Sequence, residues 1–507
     1  MTASVHVERM RSAFPLHLSA DDAVFTAARE ALADARYTEP AICERTGIPS
    51  IYEFRRLHEG RPRGELSDSL DVLLRLFLDT EPVGDEALRR LLPAGTVDAL
   101  GALGLLARGE DGAWRATALL YPTRSLLIAS DLDHPTARGR VADDAVYPAI
   151  TSNTQTFLDS LPWTRCERFL EMCGGTGIAA LVAASQGAGR AWTADITERA
   201  TWFAEFNARL NALDAVRAVC GDLWEPVRGL TFDRIVAHPP YVAEAERTLI
   251  FRDGGPDGEL ITRGLVAGLP EFLEPGGRFY CTCIATDRVG APLERRVREM
   301  LGAGEEGFDV VVVERSGFHP SEYYCRMAAG AKMPFVEAEQ RHLAYKALGV
   351  TRMVYCTIVV QRHAVERAPF TLRKASGRAR EGDALEWLLA WETANAERDL
   401  TAALLDARPI AAPALRLRTE QHLFEGAWRV HGCALRTEAP FEETTDCTLD
   451  AAAFLARCDG SLTLREHAER LAAEGLLDPR AGAGLVELVR GLVGAGCLDL
   501  DIFRAPR

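Results

Sequence analysis

Long apolar runs are missing: no uninterrupted stretch of the 507 residues approaches the thickness of a bilayer. The amino-terminal MTASVHVERMRSAFPLHLSADD likewise lacks the apolar core of a secretory signal, so the expected location is cytoplasmic, with no membrane partner. Positive charge is also short. Against 73 Asp and Glu stand 58 Lys and Arg, a formal charge of −15, so the average surface field repels phosphate backbones and anionic lipid. Nucleic acid is thereby disfavoured as a partner. The 12 cysteines are scattered without a CxxC pair, and Cys281 and Cys283 flank Thr282 within a run that reads as a strand. That pattern points to reduced, buried thiols. No His/Cys/Asp cluster has metal-ligand spacing, so no metal is expected, and neither low complexity nor a fixed-period repeat is present.

What remains is an ordinary globular composition, 48% hydrophobic and 26% charged, in a chain longer than one core usually supports. From about Asp21 to Ala107 apolar residues recur at helical spacing, as in Leu70, Leu73, Leu74, Phe77 and Leu78. LLARGEDGAWRATALLYP then reads as two short strands around a Gly109 to Gly112 turn, which completes a winged-helix-like pattern. Its third helix, TVDALGALGLL, carries no Lys or Arg, and this favours a packing or dimerisation unit over a nucleic-acid reader; a homodimer is compatible with it. Between Pro162 and Ala364 short apolar runs at 166–172, 190–194, 234–237, 277–284, 310–313 and 353–360 alternate with helical segments, the pattern of a parallel sheet covered on both faces. The charged stretch TLRKASGRAREGD reads as a boundary. Beyond it, the strand-like runs LRLRT and WRVHGCAL and several helices suggest a second winged-helix-like unit. The expected units are 1–145, 146–368 and 369–507.

Chemistry concentrates in RFLEMCGGTGIAALVAA. An apolar strand ends in Glu171, passes Cys173, Gly174, Gly175 and Gly177, and opens into an Ala-rich helix. Such a glycine turn lets backbone approach a ligand closely, although alone it also suits simple helix-on-strand packing. A second strand ends in Asp195 and Ile196, and a third in Asp222 and Leu223. Each acid alone would read as a cap or turn residue. In series they describe an adenosine-shaped pocket, with Asp195 accepting the ribose hydroxyls, Asp222 the adenine amino group, and Leu223 packing on the ring. The fourth strand runs into His238, Pro239, Pro240 and Tyr241, a stiff bend that holds an imidazole beside an aromatic ring.

Glu171 to Gly177, Asp195, Asp222 and HPPY fall in the order of class I S-adenosylmethionine-dependent methyltransferases, and FRDGGPDGELITRGL resembles the "methyltransferase small domain" and release-factor glutamine N-methyltransferase group. The resemblance implies a Rossmann-like α/β core, a seven-stranded and mostly parallel sheet, flanked here by the winged-helix-like units. It implies S-adenosylmethionine as cofactor, bound by Glu171, Cys173, Gly174, Gly175, Gly177, Asp195, Ile196, Asp222, Leu223 and His238, with Glu171 orienting the methionyl part. That group carries Asn-Pro-Pro-Tyr, whose Asn carbonyl and a proline carbonyl accept hydrogen bonds from the target amide. His238 offers no amide carbonyl, and a neutral imidazole is instead a candidate base.

The catalytic residues are therefore expected to be His238, Pro239 and Tyr241, acting on an N or O acceptor of a small molecule or natural product. Two alternatives stay open: a protein or peptide methyltransferase of the glutamine or leader-peptide-recruited type, and a noncatalytic winged-helix regulator with a vestigial cofactor fold. The carboxy-terminal LARCDGSLTLREHAERLAAEGL resembles small leader-peptide-binding domains, which supports the peptide alternative. Asn153, Thr154 and Gln155 form a polar cluster that would close over cofactor or acceptor, or cap a helix. His319 and Tyr323, after a strand end, are candidates for the acceptor side.

Overall fold

Four consecutive valines at 310–313 have no polar side from which to meet water, so they must lie in a strand covered on both faces; all four are fully buried. In the computed structural model, which describes residues 14, 16–58, 64–132, 144–244, 249–476 and 482–507, they sit inside a mixed α/β sheet of eleven strands.

The amino-terminal part is helical between Asp22 and Ala102 and then forms β1 (Leu106–Arg108), β2 (Trp114–Ala116), β3 (Leu119–Thr123) and β4 (Leu126–Ser130). The β1–β2 hairpin matches the expected turn. A second hairpin, β3–β4, was not anticipated, because LLYPT and LLIAS are mostly apolar and show no polar alternation. The sheet proper is built from β5 (Arg168–Met172), β6 (Arg190–Asp195), β7 (Val216–Cys220), β8 (Phe232–Ala237), β9 (Leu273–Arg288), β10 (Phe308–Phe318) and β11 (Val350–Arg362). These lie in the order β7-β6-β5-β8-β9-β11-β10, all parallel except β11, which is antiparallel to both neighbours.

The sheet does not stop at seven strands. TLRKASGRAREGD, read above as a boundary, holds β12 (Thr371–Ser376), which pairs in parallel with β10. Its Arg373 and Lys374 escaped strand patterning because their charges are met locally: Arg373 pairs with Asp287 and Glu294, and Lys374 with Glu443. After β13 (Pro409–Ala411), the strands β14 (Arg416–Phe424), β15 (Ala427–Thr437) and β16 (Phe441–Cys447) extend the sheet antiparallel beyond β12, while β17 (Leu498–Leu500) pairs with β13. The helix Glu381–Glu397 covers part of one face, where Glu386 accepts from the Tyr280 hydroxyl at 2.7 Å. One contiguous buried cluster includes Leu73, Leu181, Leu388 and Val489, so all three sequence segments share a core. Among the described residues no helix is long and apolar enough to cross a membrane.

A chain ended at residue 368 would leave the ladder groups of β10 unpaired and remove the helix over Tyr280. Little soluble protein is expected from it on size-exclusion chromatography, whereas a monodisperse, folded fragment would show that the extended sheet is dispensable.

Candidate active site

The carboxyl ends of parallel strands collect ligands because helix N-termini and loops meet there. At the ends of β5, β6, β7 and β8 lies a cavity of about 360 Å³ lined by Glu171, Cys173, Gly174, Gly175, Asp195, Ile196, Asp222, Leu223, His238, Pro239, Tyr241, Asn153 and Thr154. The sequence elements expected to meet do meet. Gly177 lies just beneath the cavity at φ 76°, where a Cβ would come 3.0 Å from that of Ala204.

Glu171 lines the cavity and also caps a helix. Its two oxygens accept from the backbone N–H of Ala179 at 3.1 Å and of Ala180 at 3.0 Å, so it caps the helix Ile178–Ser185 from the strand before it. Burial pushes its carboxyl up to about 7 despite those two donors. Asp195 accepts from Gly175 N through Oδ2 at 3.0 Å, and from Thr197 N and Oγ1 through Oδ1 at 3.0 and 3.2 Å. Asp195 also lines the cavity. Burial raises its pKa as well. Asp222 is exposed at the rim, and Leu223 adopts φ 45° beside it.

The His238 ring stacks on Phe157, centroids 5.1 Å apart at 26°, and lies 5.9 Å from the Tyr241 ring. Burial, aided by the nearby Arg315 cation, pushes the imidazole down to about 4, so it is neutral at physiological pH. Burial also holds the Tyr241 phenol above its ordinary range. The helix Ser152–Asp159 presents Asn153 and Phe157 one turn apart: Phe157 meets His238, and Asn153 Nδ2 donates to Tyr241 Oη at 3.4 Å.

The loop is braced from outside by FRDGGPDGEL. Val242 and Glu244 donate to Arg252 O and Gly255 O, and Gly254 donates back to Val242 O, all at 2.8–2.9 Å. A Cβ on Gly254 would sit 2.7 Å from Pro240 O, and one on Gly258 would sit 2.6 Å from Tyr241 O. Only glycine permits this approach. The brace is itself pinned by buried charge. Glu259 accepts from Thr286 N at 2.8 Å and pairs with Arg296, while Asp257 pairs with Arg263 and Arg288. Burial alone would raise Asp257, but those two guanidiniums and the Glu259 N–H outweigh it and draw it down to about 2.

His319 and Tyr323 do not line the cavity. β10 runs on to Phe318, past the strand end expected from its valines, and His319 becomes the cap of the helix Pro320–Ala329, engaging Ser321 through Nδ1. Sequence reasoning missed Phe157, although it lies four residues from Asn153 in a segment already singled out. It also missed Tyr147 and Phe251, stacked 5.3 Å apart, which line the same cavity. They are far apart in sequence, and no local signal joins them.

Gly258→Ala is expected to displace the loop, since its new Cβ meets carbonyl oxygen and φ is 77°. The measurable outcome is a loss of activity of roughly 10²-fold with a circular dichroism spectrum like that of the wild type. Full activity would mean that the brace does not set the loop.

Residues 146–310 match the family described as "Methyltransferase small domain", and residues 54–117 match one described only as a domain of unknown function. Over 126 residues the chain is 36% identical to a protein named release factor glutamine methyltransferase from Moorella thermoacetica, covering 22% of this chain and 44% of the relative. It is 34% identical over 131 residues to a ribosomal protein uL3 glutamine methyltransferase from Bradyrhizobium diazoefficiens, covering 23% and 41%. A release factor glutamine methyltransferase from Synechocystis aligns over 190 residues at 27%, covering 33% and 62%. The chain thus spans about half the length of the curated relatives it matches. The matched residues 146–310, together with β10 and β11 that complete the order β7-β6-β5-β8-β9-β11-β10, form an S-adenosylmethionine-dependent methyltransferase domain of class I with the cavity at its head.

Proposed function

We propose that the protein methylates the side-chain amide nitrogen of a glutamine in a protein or peptide. The reading of a small-molecule acceptor gives way to this one, because the relatives that match the methyltransferase segment are named for glutamine in release factors and a ribosomal protein. The observation that carries it is the neutral His238 in a braced His-Pro-Pro-Tyr loop.

The residues at the cavity suit the cofactor. Asp195, Asp222 and Leu223 all line the cavity, where Asp195 would accept a ribose hydroxyl, Asp222 the adenine amino group, and Leu223 would offer an apolar face to the ring. Glu171, buried behind the glycine turn, supplies negative charge near the methionyl end without a direct bond. S-adenosylmethionine, when bound, supplies a methyl group already activated by the positive charge on sulfur.

What remains for the protein is alignment and the fate of one proton. Held in line, reacting groups gain on the order of 7–11 kcal/mol, and the loop, stiffened by Pro239 and Pro240, is built to hold them. An imidazole that protonates only near 4 is a poor base for a hydroxyl or for an ammonium of about 10.4. It is a good hydrogen-bond acceptor for an amide N–H, and it can take the proton that becomes strongly acidic once the amide nitrogen is methylated. His238 thereby takes over what an asparagine carbonyl does in the Asn-Pro-Pro-Tyr enzymes. Asn153, which donates through Nδ2 to Tyr241 and lines the same cavity, adds a second amide at that end, with an Oδ1 that can accept from the substrate. Tyr241 forms the aromatic wall.

His238→Asn is expected to keep activity within about tenfold, while His238→Ala loses about 10²-fold; the readout is labelled methyl incorporated into protein from cells lacking the gene, followed by amino-acid analysis for N5-methylglutamine. Label appearing only on another residue or on small molecules would sink the glutamine reading. Wild-type kcat should stay level between pH 6 and 9, because the imidazole with its pKa of about 4 is already neutral throughout. A kcat that climbs with pH would indicate an ammonium or hydroxyl acceptor.

Cofactor affinity has its own pH signature. Glu171, raised to about 7, is largely protonated below that pH and anionic above it, and only the anion attracts the sulfonium and ammonium. S-adenosylmethionine affinity by calorimetry should therefore rise between pH 6 and 8, and Glu171→Gln should flatten the rise. The same slope in both proteins would remove Glu171 from the account.

A further inference from the structure

The amino-terminal unit touches the methyltransferase domain through a contact that ends at the cofactor loop. β4 pairs only with β3, so its outer edge would present unpaired backbone groups. Two asparagines on the helix Glu198–Leu210 and its cap meet that edge. Asn207 Oδ1 accepts from Ala129 N at 2.7 Å and Nδ2 donates to Ala129 O at 3.0 Å, while Asn211 does the same to Leu127 N and O at 2.8 and 2.7 Å. The spacing suits this pairing. Four residues of helix rise ~6 Å and two residues of strand ~6.6 Å, so carboxamides one turn apart read alternate strand residues as a neighbouring strand would.

Asn207 also reaches the other way. Its Nδ2 donates to Thr176 O at 3.0 Å, inside the glycine turn, and the residue is fully buried. One turn earlier on the same face, Ala204 packs where a Cβ on Gly177 would fall. A second link runs in parallel. Asp131, just after β4, pairs with Arg199 and accepts from Val146 N at 2.8 Å, and Val146 lies over Gly175 in the cavity lining.

We propose that Asn207 is a positioning residue for cofactor binding, through which the amino-terminal unit holds the glycine turn in its binding shape. That gives this unit a role: it is a structural part of the cofactor site, with β4 as the fixed edge against which the turn is set. The proposal rests on the cofactor reading above and goes beyond it, since it concerns residues that touch no ligand.

Calorimetric titration of the full chain with S-adenosylhomocysteine, with thermal unfolding of each free protein, tests it. Asn207→Ala should bind at least about tenfold more weakly than the wild type. Asn211→Ala, which cuts the Leu127 contacts and a 2.8 Å bond to Asn207 O but none to the glycine turn, should lose Tm yet keep wild-type affinity. Unchanged affinity in N207A, or an equal loss in N211A, overturns the proposal, the second outcome because docking in general would then explain the effect. Should N207A not fold, Asp131→Ala carries the test through the Val146 contact under the same tenfold criterion, and unchanged affinity there overturns it. A wild-type chain that takes up no S-adenosylhomocysteine overturns the cofactor reading itself, a failure distinct from any difference among the variants.

Discussion

The carboxylate of Glu171 accepts from two consecutive helix N–H groups, and the geometry of the site follows from that interaction. The first turn of a helix has backbone donors with no partner of their own. Here they are met by a residue of the preceding strand, so β5, the turn and the helix Ile178–Ser185 are fixed at one angle by an acid with almost no exposure to water. The cost of burying that charge appears as a raised pKa. An acid held this way can respond to a cation placed beside it, which an ordinary surface carboxylate would do far less.

The His-Pro-Pro-Tyr bend is fixed by the opposite device. At His238 to Tyr241 prolines remove freedom from the chain itself, and glycines at 254 and 258 let a second segment press against it. The carboxylates of Asp257 and Glu259 then hold that segment through guanidiniums. The glycine turn is thus capped and the His-Pro-Pro-Tyr bend braced, each against a different part of the fold.

Much of this was legible in the chain. The glycine turn, Asp195, Asp222 and the His-Pro-Pro-Tyr bend announced one pocket because each sits at the end of a short apolar run, and parallel strands bring such ends together. Other features were hidden for physical reasons. Glu171 looks like a ligand-facing acid in sequence, and only the position of Ala179 and Ala180 reveals that it is a cap as well. β12 carries charge at strand positions, and those charges are neutralised by Asp287, Glu294 and Glu443 from elsewhere in the chain. β10 outruns its valines, which carries His319 away from the cavity.

Spacing and residue type alone determined a pocket at the ends of parallel strands, because strand-end acids and glycines report a backbone path directly, and their order carries the resemblance to class I methyltransferases. Tertiary structure decided the rest. Whether an imidazole acts as base or as hydrogen-bond acceptor depends on its burial against Phe157 and its distance from Arg315. Whether the amino-terminal unit is an attachment or part of the site depends on one asparagine reaching both Ala129 and Thr176. Contacts between residues so far apart in the chain leave no periodic trace, because they are set by how the elements pack.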